Sequence, residues 1–478
     1  MKTLIRNLCN DKRIMILGFG REGKSTLRLI TDYCEGCKVF IGDMAKQNPE
    51  DIRAEFGPVV EGVICGEGYQ DDIDDYDVVF KSPGIVLNKP IEEYKTHITL
   101  QTQEFVRAYR ERTIGITGTK GKSTTATLLY KVLADNGIDV ILGGNIGIPP
   151  FDLVYAMEED KEKTAILELS CHQLEYMTVS PYIGILLNLY EEHLDHYGTY
   201  ERYAASKTHI YKHQKSGDML FCKKDIVPYK AECDGHKYGE YPDVTAIHQD
   251  NARASERPVR FEGDVCDVTS DAEISGNHVK IVKSGETEAE EYDIPVEDIK
   301  ILGDHNYFNI VTVREVAKLF GIDEYLFRKS VSEYNPLPHR LEYVGTFGGV
   351  EYYDDSISTI GEAAIQAVRT VKNAETILIG GMDRGIEYGQ LEEFLSQRPV
   401  KNIILMYETG KRILDEMNQK GFDTAGITVV KDLQEAVNVA KKVTGKGKAC
   451  IMSPAAASYG YFKNFEERGQ VFAQLVQR

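Results

Sequence analysis

The chain has 478 residues, enough for roughly three domains of about 150 residues that each bury a core. A net charge of −19, from 56 Lys+Arg against 75 Asp+Glu, repels polyanions and disfavours nucleic acid as the partner, although backbone N–H groups and one or two lysines can still hold an anion locally. With 42% hydrophobic and 27% charged residues the composition is that of a globular chain. No run approaches a membrane span, and Arg6, Asp11, Lys12 and Arg13 break up the start before any secretory apolar stretch. Nine cysteines, of which only Cys34 and Cys37 form a close pair, fit reduced thiols in the cytoplasm better than a disulfide frame or a zinc site.

In chain order, an apolar run at 13–18, a glycine turn, a helical stretch at 24–33 and a second apolar run at 38–43 predict a β-α-β unit. Gly18-Phe-Gly-Arg-Glu-Gly23-Lys24-Ser25 satisfies both the dinucleotide pattern G-x-G-x-x-G and the P-loop pattern. In either case the loop aims N–H groups at an anion. Asp43 ends the next strand, where a carboxylate can accept from a ribose hydroxyl. A strand at 76–81 then runs into Ser82-Pro-Gly84, a helix follows at 101–109, and the first domain is set at 1–107; the acidic stretch 71–77 reads as a solvated loop.

The second domain, 108–334, opens on Thr113-Ile-Gly-Ile-Thr-Gly-Thr-Lys-Gly-Lys-Ser-Thr124, a strand that passes through a glycine loop into a helix at 125–136. Ile116 stands where a strict P-loop has its first glycine. Gly118 and Gly121 nevertheless let the backbone close round a phosphate, Lys122 supplies a cation, and Ser123 and Thr124 supply hydroxyls for Mg²⁺, so residues 118–124, with Thr119 and Lys120, are read as an ATP loop. Strands are expected at 139–142, 164–169 and 182–189, a β-rich elaboration at 219–300, a helix at 306–319 and a linker at 335–339. His209 and His213 could be drawn with His193 and His196 as a zinc cluster, but neither a His-Glu-x-x-His motif nor a nearby cysteine pair supports it, and a polar helix face explains the spacing. The third domain, 335–478, alternates strands at 350–353, 375–379, 402–406 and 448–452 with helical runs. The expected fold is α/β with three domains: a Rossmann-like N-terminal domain, a central P-loop ATPase-like domain with a mainly parallel sheet, and a Rossmann-like C-terminal domain.

Six segments together carry a family resemblance. Thr-Gly-Thr-Lys-Gly-Lys-Ser-Thr at 117–124, Leu-Glu-Leu-Ser at 167–170, Leu-Asn-Leu-Tyr-Glu-Glu-His-Leu-Asp at 187–195, Gly-Asp-His-Asn at 303–306, Pro-His-Arg at 338–340 and Ser-Pro-Ala-Ala-Ala-Ser at 453–458 resemble, in order, motifs of the Mur ligases. These are amide-forming enzymes of cytoplasmic peptidoglycan-precursor synthesis. The likeness covers almost the whole chain, weakest at 219–300, and Phe462-Lys-Asn-Phe-Glu-Glu-Arg-Gly469 is similar to the glutamate-adding branch.

The resemblance implies an ATP-dependent ligase that phosphorylates the carboxylate of UDP-N-acetylmuramoyl-L-alanine and lets the amine of glutamate, D-Glu by preference, displace phosphate; it also implies a cytoplasmic monomer. It gives catalytic roles to Lys122, His193 and Lys207, and places two Mg²⁺ ions on Ser123, Glu168 and His193. It puts a carbamate on Lys207, which the local pattern alone would make an exposed helical lysine. Adenine would meet Asn306 and Asn309, while Arg340 and Asp355 would act as the third domain closes over ATP. For the UDP-sugar it implies Gly20, Arg21, Glu22, Asp43, Ser82 and Gly84, with Asn145 near the muramoyl-alanyl part and Lys24-Ser25 a chance P-loop. The amino acid would meet Thr359, Arg384, Ser458 and Phe465.

The amino-acid pocket departs from the family. Ile357 stands where the family has lysine, Arg384 replaces another lysine with a guanidinium suited to a carboxylate, and Gly460 replaces a common aspartate, which leaves D-Glu, L-Glu and other amino acids open. A folate polyglutamate ligase shares the ATP loop but fits the first domain badly. From other classes, a dinucleotide-dependent oxidoreductase would use the loop at 18–23, and a silent nucleotide-binding regulator would leave Glu168, His193 and Lys207 unexplained.

Overall fold

A computed structural model describes residues 1–228, 243–249, 268–301, 303 and 305–478. Two stretches of the expected β-rich elaboration, 229–242 and 250–267, lie outside the described residues. The chain divides into two compact units, residues 1–298 with 305–333, and residues 299–304 with 334–478.

The first unit holds two sheets. In the N-terminal one, β1 (Arg13–Leu17), β2 (Lys38–Asp43), β3 (Val60–Cys65), β4 (Val78–Lys81) and β5 (His97–Thr99) are all parallel in the order β3-β2-β1-β4-β5. Order therefore reverses at β1 and β4, and the loops leaving their carboxyl ends part there and open a crevice. Ile14, Met15, Ile16 and Leu17 are all buried, as expected of a strand covered on both faces. The helix after β1 begins at Arg21, three residues before the expected start, with Gly20 as its N-cap. Gly23 thus lies in the first helical turn, where any Cβ would run into the Gly18 carbonyl.

The central sheet comprises β6 (Thr113–Thr117), β7 (Val140–Gly144), β8 (Thr164–Glu168), β9 (Ile183–Leu186), β10 (Met219–Lys223), β11 (Asp243–Gln249), β12 (Val268–Ser275), β13 (His278–Lys283) and β14 (Ala289–Asp293). Its order is β14-β13-β12-β11-β10-β9-β6-β8-β7, parallel from β7 through β12 and antiparallel over the last three. The described strands of 219–300 therefore extend the central sheet. A second reversal of order occurs at β6, flanked by β8 and β9. The two sheets of this unit are joined by one apolar core, in which the Phe80 and Phe151 rings lie 6.0 Å apart, and by Ser25, whose Oγ donates to Asp152 at 2.9 Å. Position 107 falls inside the helix Gln101–Tyr109.

In the second unit β15 (Glu342–Phe347) and β16 (Val350–Asp354) form an antiparallel hairpin. It adjoins the parallel strands β17 (Ala374–Ile379), β18 (Asn402–Met406), β19 (Ile427–Val430) and β20 (Ala449–Met452), in the order β15-β16-β20-β17-β18-β19. Among the described residues no helix is long and apolar enough to cross a membrane, and the described cysteines are free thiols.

Arg468 is the largest fully buried side chain of the described residues. Its guanidinium donates to Ser356 Oγ (2.9 Å), the Ser356 carbonyl (2.7 Å) and the Ala456 carbonyl (3.0 Å), pinning the two loops that carry Asp355 and Ser458. Removing it strands two buried carbonyls, at about 1–3 kcal/mol each. Arg468→Ala is expected to make residues 334–478 the first part of the chain cut in limited proteolysis, with the unfolding midpoint in urea lowered; an unchanged cleavage pattern would remove this role.

Candidate functional site

The two reversals of strand order meet at one cavity of about 620 Å³ in the first unit. From the N-terminal sheet it is lined by Gly20, Arg21 and Glu22 after β1, Asp43 at the end of β2, and Ser82 and Gly84 after β4. From the central sheet it is lined by Lys122, Asn145, His193 and Lys207. Ten expected site residues, assigned to the UDP-sugar, to ATP, to magnesium and to a carbamate, thus border a single space.

The glycine loop after β6 is held open by its neighbours. Gly121 caps the helix Lys122–Asp135 with φ +84°, and a Cβ there would meet the Asn309 amide at 2.8 Å. That amide donates to Asn306 Oδ1 at 2.8 Å, so both asparagines stand beside the loop. Thr119 Oγ1 lies 2.9 Å from the Tyr203 hydroxyl, and the Lys120 N–H donates to Asn188 Oδ1 at 2.8 Å. Ser123 and Thr124 occupy the first helical turn, where N–H groups lack intrahelical partners and favour an anion.

Two ammonium groups converge on one carbonyl. Lys122 Nζ donates to Gly118 O at 2.9 Å and Lys207 Nζ to the same oxygen at 3.1 Å. Lys207 lies in the last turn of the helix Tyr200–Thr208 and is buried, contrary to the exposure its local pattern suggests. Burial, reinforced by the charge of Lys122, brings its pKa down to about 7. Burial also holds the Lys122 pKa below the ordinary lysine value, against the opposing pull of Glu168 and Glu192.

Glu168 ends β8 and is buried. Asn145 Nδ2 donates to its Oε1 at 2.6 Å, while Oε2 is buried without a hydrogen-bond partner among the described residues. A buried, half-satisfied carboxylate facing a phosphate loop suits a hard cation such as Mg²⁺. His193, at φ +57°, puts its ring 5.2 Å from that of His172. Sequence reasoning assigned no role to His172 or to neighbouring Cys171, although both line the cavity. The spacing of His172 with Glu175 and of His193 with His196, each pair three residues apart, was the available signal. His209 Nδ1 and His213 Nε2 instead donate to the Met177 carbonyl at 2.5 and 3.1 Å, so these rings do not join His193.

On the other loop, Asp43 accepts from the Phe19 N–H (2.6 Å) and the Ala45 N–H (2.8 Å) and so braces the turn while lining the cavity. Ser82 Oγ donates to Gly18 O at 3.0 Å. Glu22 accepts from Gln173 at 2.9 Å, and its pKa is raised by burial. Arg21 donates to Gly147 O at 3.2 Å. The chance P-loop pair points elsewhere: Ser25 faces Asp152, and Lys24 lies 5.9 Å from the Phe19 ring centre.

In the second unit Arg384 donates to the Thr359 carbonyl at 3.1 Å, and Met382 pairs with Ala457 next to Ser458. Phe465 receives Ser356 Oγ on its carbonyl at 2.8 Å and lies edge-on to His339 at 6.3 Å. Asp355 is buried, accepts from the Leu341 N–H (3.1 Å) and Ser453 Oγ (2.6 Å), and feels the positive charge of Arg340.

Fold and site define a class: an α/β protein in which a P-loop-type phosphate loop and a Rossmann-type loop open onto a common cavity. Residues 116–317 match the family described as Mur ligase middle domain. UDP-N-acetylmuramoylalanine--D-glutamate ligase of Clostridium botulinum (strain 657 / Type Ba4) is 30% identical over 474 residues, 97% of this chain and 96% of that protein. The protein of the same name from Geobacillus kaustophilus (strain HTA426) is 28% identical over 98% of each chain. The crystal structure of MurF ligase from Thermotoga maritima in complex with ADP superposes with a TM-score of 0.56 over 100% of this chain and 99% of that one, at 15% identity, a likeness of fold. The chain belongs to the Mur ligase family, and the expected three-domain α/β class holds.

Burial raises the Asp355 pKa to about 6, against the pull of Ser358, Ser453 and Arg340. The native state therefore holds this proton after the unfolded chain, near pH 4, has lost it, and stability falls as pH rises from about 4 to about 6. Asp355→Asn is expected to remove that fall, with a relative gain at pH 7 on the order of 1–2 kcal/mol. Urea unfolding of both proteins from pH 4 to 7 checks it, and parallel profiles would contradict it.

Proposed function

We propose that the protein is an ATP-dependent ligase that joins glutamate, with D-Glu as the expected isomer, to UDP-N-acetylmuramoyl-L-alanine in cytoplasmic peptidoglycan-precursor synthesis. The observation that carries this reading is the single cavity that runs from the loop after β1 to Lys122. A long nucleotide-sugar substrate can rest its diphosphate end on the first loop and bring its carboxylate to the phosphate loop. The names of the relatives support the same substrates. Residues 1–107 are assigned to UDP, 108–334 to ATP and 335–478 to the amino acid, in a monomer.

ATP would lay its phosphates on the N–H groups of 118–124 and on Lys122, with Asn306, Asn309, Arg340 and Asp355 assigned to the rest of the nucleotide. The γ-phosphoryl group passes to a carboxylate oxygen of the muramoyl-alanine, giving an acyl phosphate and ADP. The amine of glutamate then adds to the acyl carbon and expels phosphate. Negative charge spreads over the transferring oxygens, so the main contribution of the protein is fixed positive charge, here Lys122 and the helix N-terminus. Ser123, Glu168 and His193 would hold magnesium, which supplies further neutralisation of phosphate charge.

Lys207 is proposed to carry a carbamate. Its depressed pKa leaves much of the amine neutral near pH 7, the form that adds CO₂ with loss of a proton. The product is an anion that relieves the crowding of two cations at Gly118. Thr359, Arg384, Ser458 and Phe465 are assigned to the amino acid, with Arg384 for its side-chain carboxylate.

A dinucleotide oxidoreductase is the less favoured reading, because it gives no part to the phosphate loop of Lys122 that opens onto the same cavity. Phosphate release with ATP, Mg²⁺ and UDP-N-acetylmuramoyl-L-alanine is expected to require D-Glu, and Lys122→Ala to lower the rate by about 10²–10³-fold or more. Release with L-Glu alone would move specificity to the Ile357 and Arg384 departures. Release with no amino acid of a full panel, or a fully active Lys122→Ala, would overturn the reading.

A further inference from the structure

Two short segments bring together side chains that the proposed reaction does not use. His172 and Glu175 follow β8, three residues apart on the turn Cys171–Leu174 and its C-cap, and so share a face. His196 comes from the turn Leu194–Tyr197, after β9. One ligand-type atom from each of His172, Glu175 and His196 lies within 4.8 Å of the other two.

The spacing within this triad is close to that of coordination. A tetrahedral ion with bonds of about 2.0–2.1 Å sets its donors roughly 3.3 Å apart. His196 Nε2 already stands 3.2 Å from Glu175 Oε2. The His172 ring meets that of His196 in a T-shaped contact at 4.4 Å and 72°. Tyr197 fixes the His172 ring from outside, stacked at 5.6 Å and 9°, with its hydroxyl 3.3 Å from Nδ1. Such an outer contact sets the orientation and tautomer of a ligating imidazole. A capping box between Ser170 and Gln173 holds the turn itself. The side chains of His196 and Glu175 are 13% and 16% exposed, so little rotamer freedom remains to be lost while water can still reach an open position.

Two imidazoles and one carboxylate select differently from the hard oxygen set of Glu168 and Ser123. Nitrogen donors favour Zn²⁺, Co²⁺ and Ni²⁺, whereas Mg²⁺ favours oxygen and keeps its waters. We propose that His172, Glu175 and His196 form a site for a divalent transition-metal ion of the Zn²⁺ type. An ion there would clamp the segment after Glu168 to the segment that carries His193. Cys171, His172 and His193 also place ligand-type atoms within 4.8 Å of one another. The triad with His196 is the better site because it contains a pair already at coordination distance.

The test is Co²⁺ titration of the full-length protein, stripped by chelator and free of nucleotide, followed by the visible bands of tetrahedral Co²⁺ and their loss when Zn²⁺ is added. One equivalent is expected to bind. His172→Phe, His196→Arg and the isosteric Glu175→Gln are each expected to weaken binding about tenfold or more, while His193→Ala and Lys122→Ala leave it unchanged. Circular dichroism identical to wild type certifies each variant as folded, and Zn²⁺ should raise the Tm of the wild type but not of Glu175→Gln. The proposal is overturned by an absence of Co²⁺ bands in the wild type, by unchanged affinity in folded Glu175→Gln and His196→Arg, or by loss of binding in His193→Ala with His196→Arg intact. Because none of these readouts involves turnover, the site and the ligase reading fail independently.

Discussion

Two lysines, Lys207 buried and Lys122 half-buried, share a single backbone carbonyl, and much of the site can be understood as a response to that crowding. Lys122 and Lys207 both donate to Gly118 O. Ammonium groups withdrawn from water are costly unless anions accompany them, and like charges at this separation raise the cost further. The protein offers partial relief. Glu168 and Glu192 both act on Lys122 through space, and Glu192 is itself paired with Lys120 at 2.7 Å. Burial alone would push the Glu192 pKa up; the lysines together hold it below the usual glutamate value. The remaining imbalance favours a polyanion at Lys122 and, under the proposed function, an added negative group on Lys207.

Topology explains why this electrostatic centre opens onto a second ligand site. In a parallel sheet the chain leaves each strand at its carboxyl end, and where strand order reverses, neighbouring loops diverge. The first unit has such a point in each of its sheets, at β1 with β4 and at β6 between β8 and β9. A shared apolar core and the Ser25–Asp152 contact set the two points against one cavity. The loop after β1 is stiffened from within, by Asp43 on the Phe19 N–H and Ser82 on the Gly18 carbonyl. Its N–H groups are therefore ordered before any ligand arrives, which lowers the entropy lost on binding.

Motifs whose meaning lies in contiguous residues were legible in the sequence. The strand, glycine loop and helix around Lys122 occur as expected, as do the β-α-β unit at the start and the alternating third domain. Features decided by packing between distant segments were not. Lys207 looks solvent-facing in its local pattern, yet its helix is packed with Tyr203 and Lys207 inward. Asp43 carries the expected residue type at the expected strand end, but the amide that claims it belongs to the preceding turn. His172 and His196 lie in separate segments, after β8 and after β9, whose exits on either side of β6 bring the two rings to 4.4 Å. That the described strands of 219–300 join the central sheet was not legible, because periodicity reports a strand but not the sheet that it joins.

The central claim is that the cavity delivers a substrate carboxylate to the γ-phosphate at Lys122. UDP-N-acetylmuramoyl-L-alanine labelled with ¹⁸O in its alanyl carboxylate, turned over with unlabelled ATP and D-Glu, tests this directly by mass spectrometry of the released phosphate. Transfer of one labelled oxygen to phosphate is predicted, since an acyl phosphate keeps a carboxylate oxygen on phosphorus when the amine displaces it. Phosphate free of label, alongside formed amide, would contradict the account.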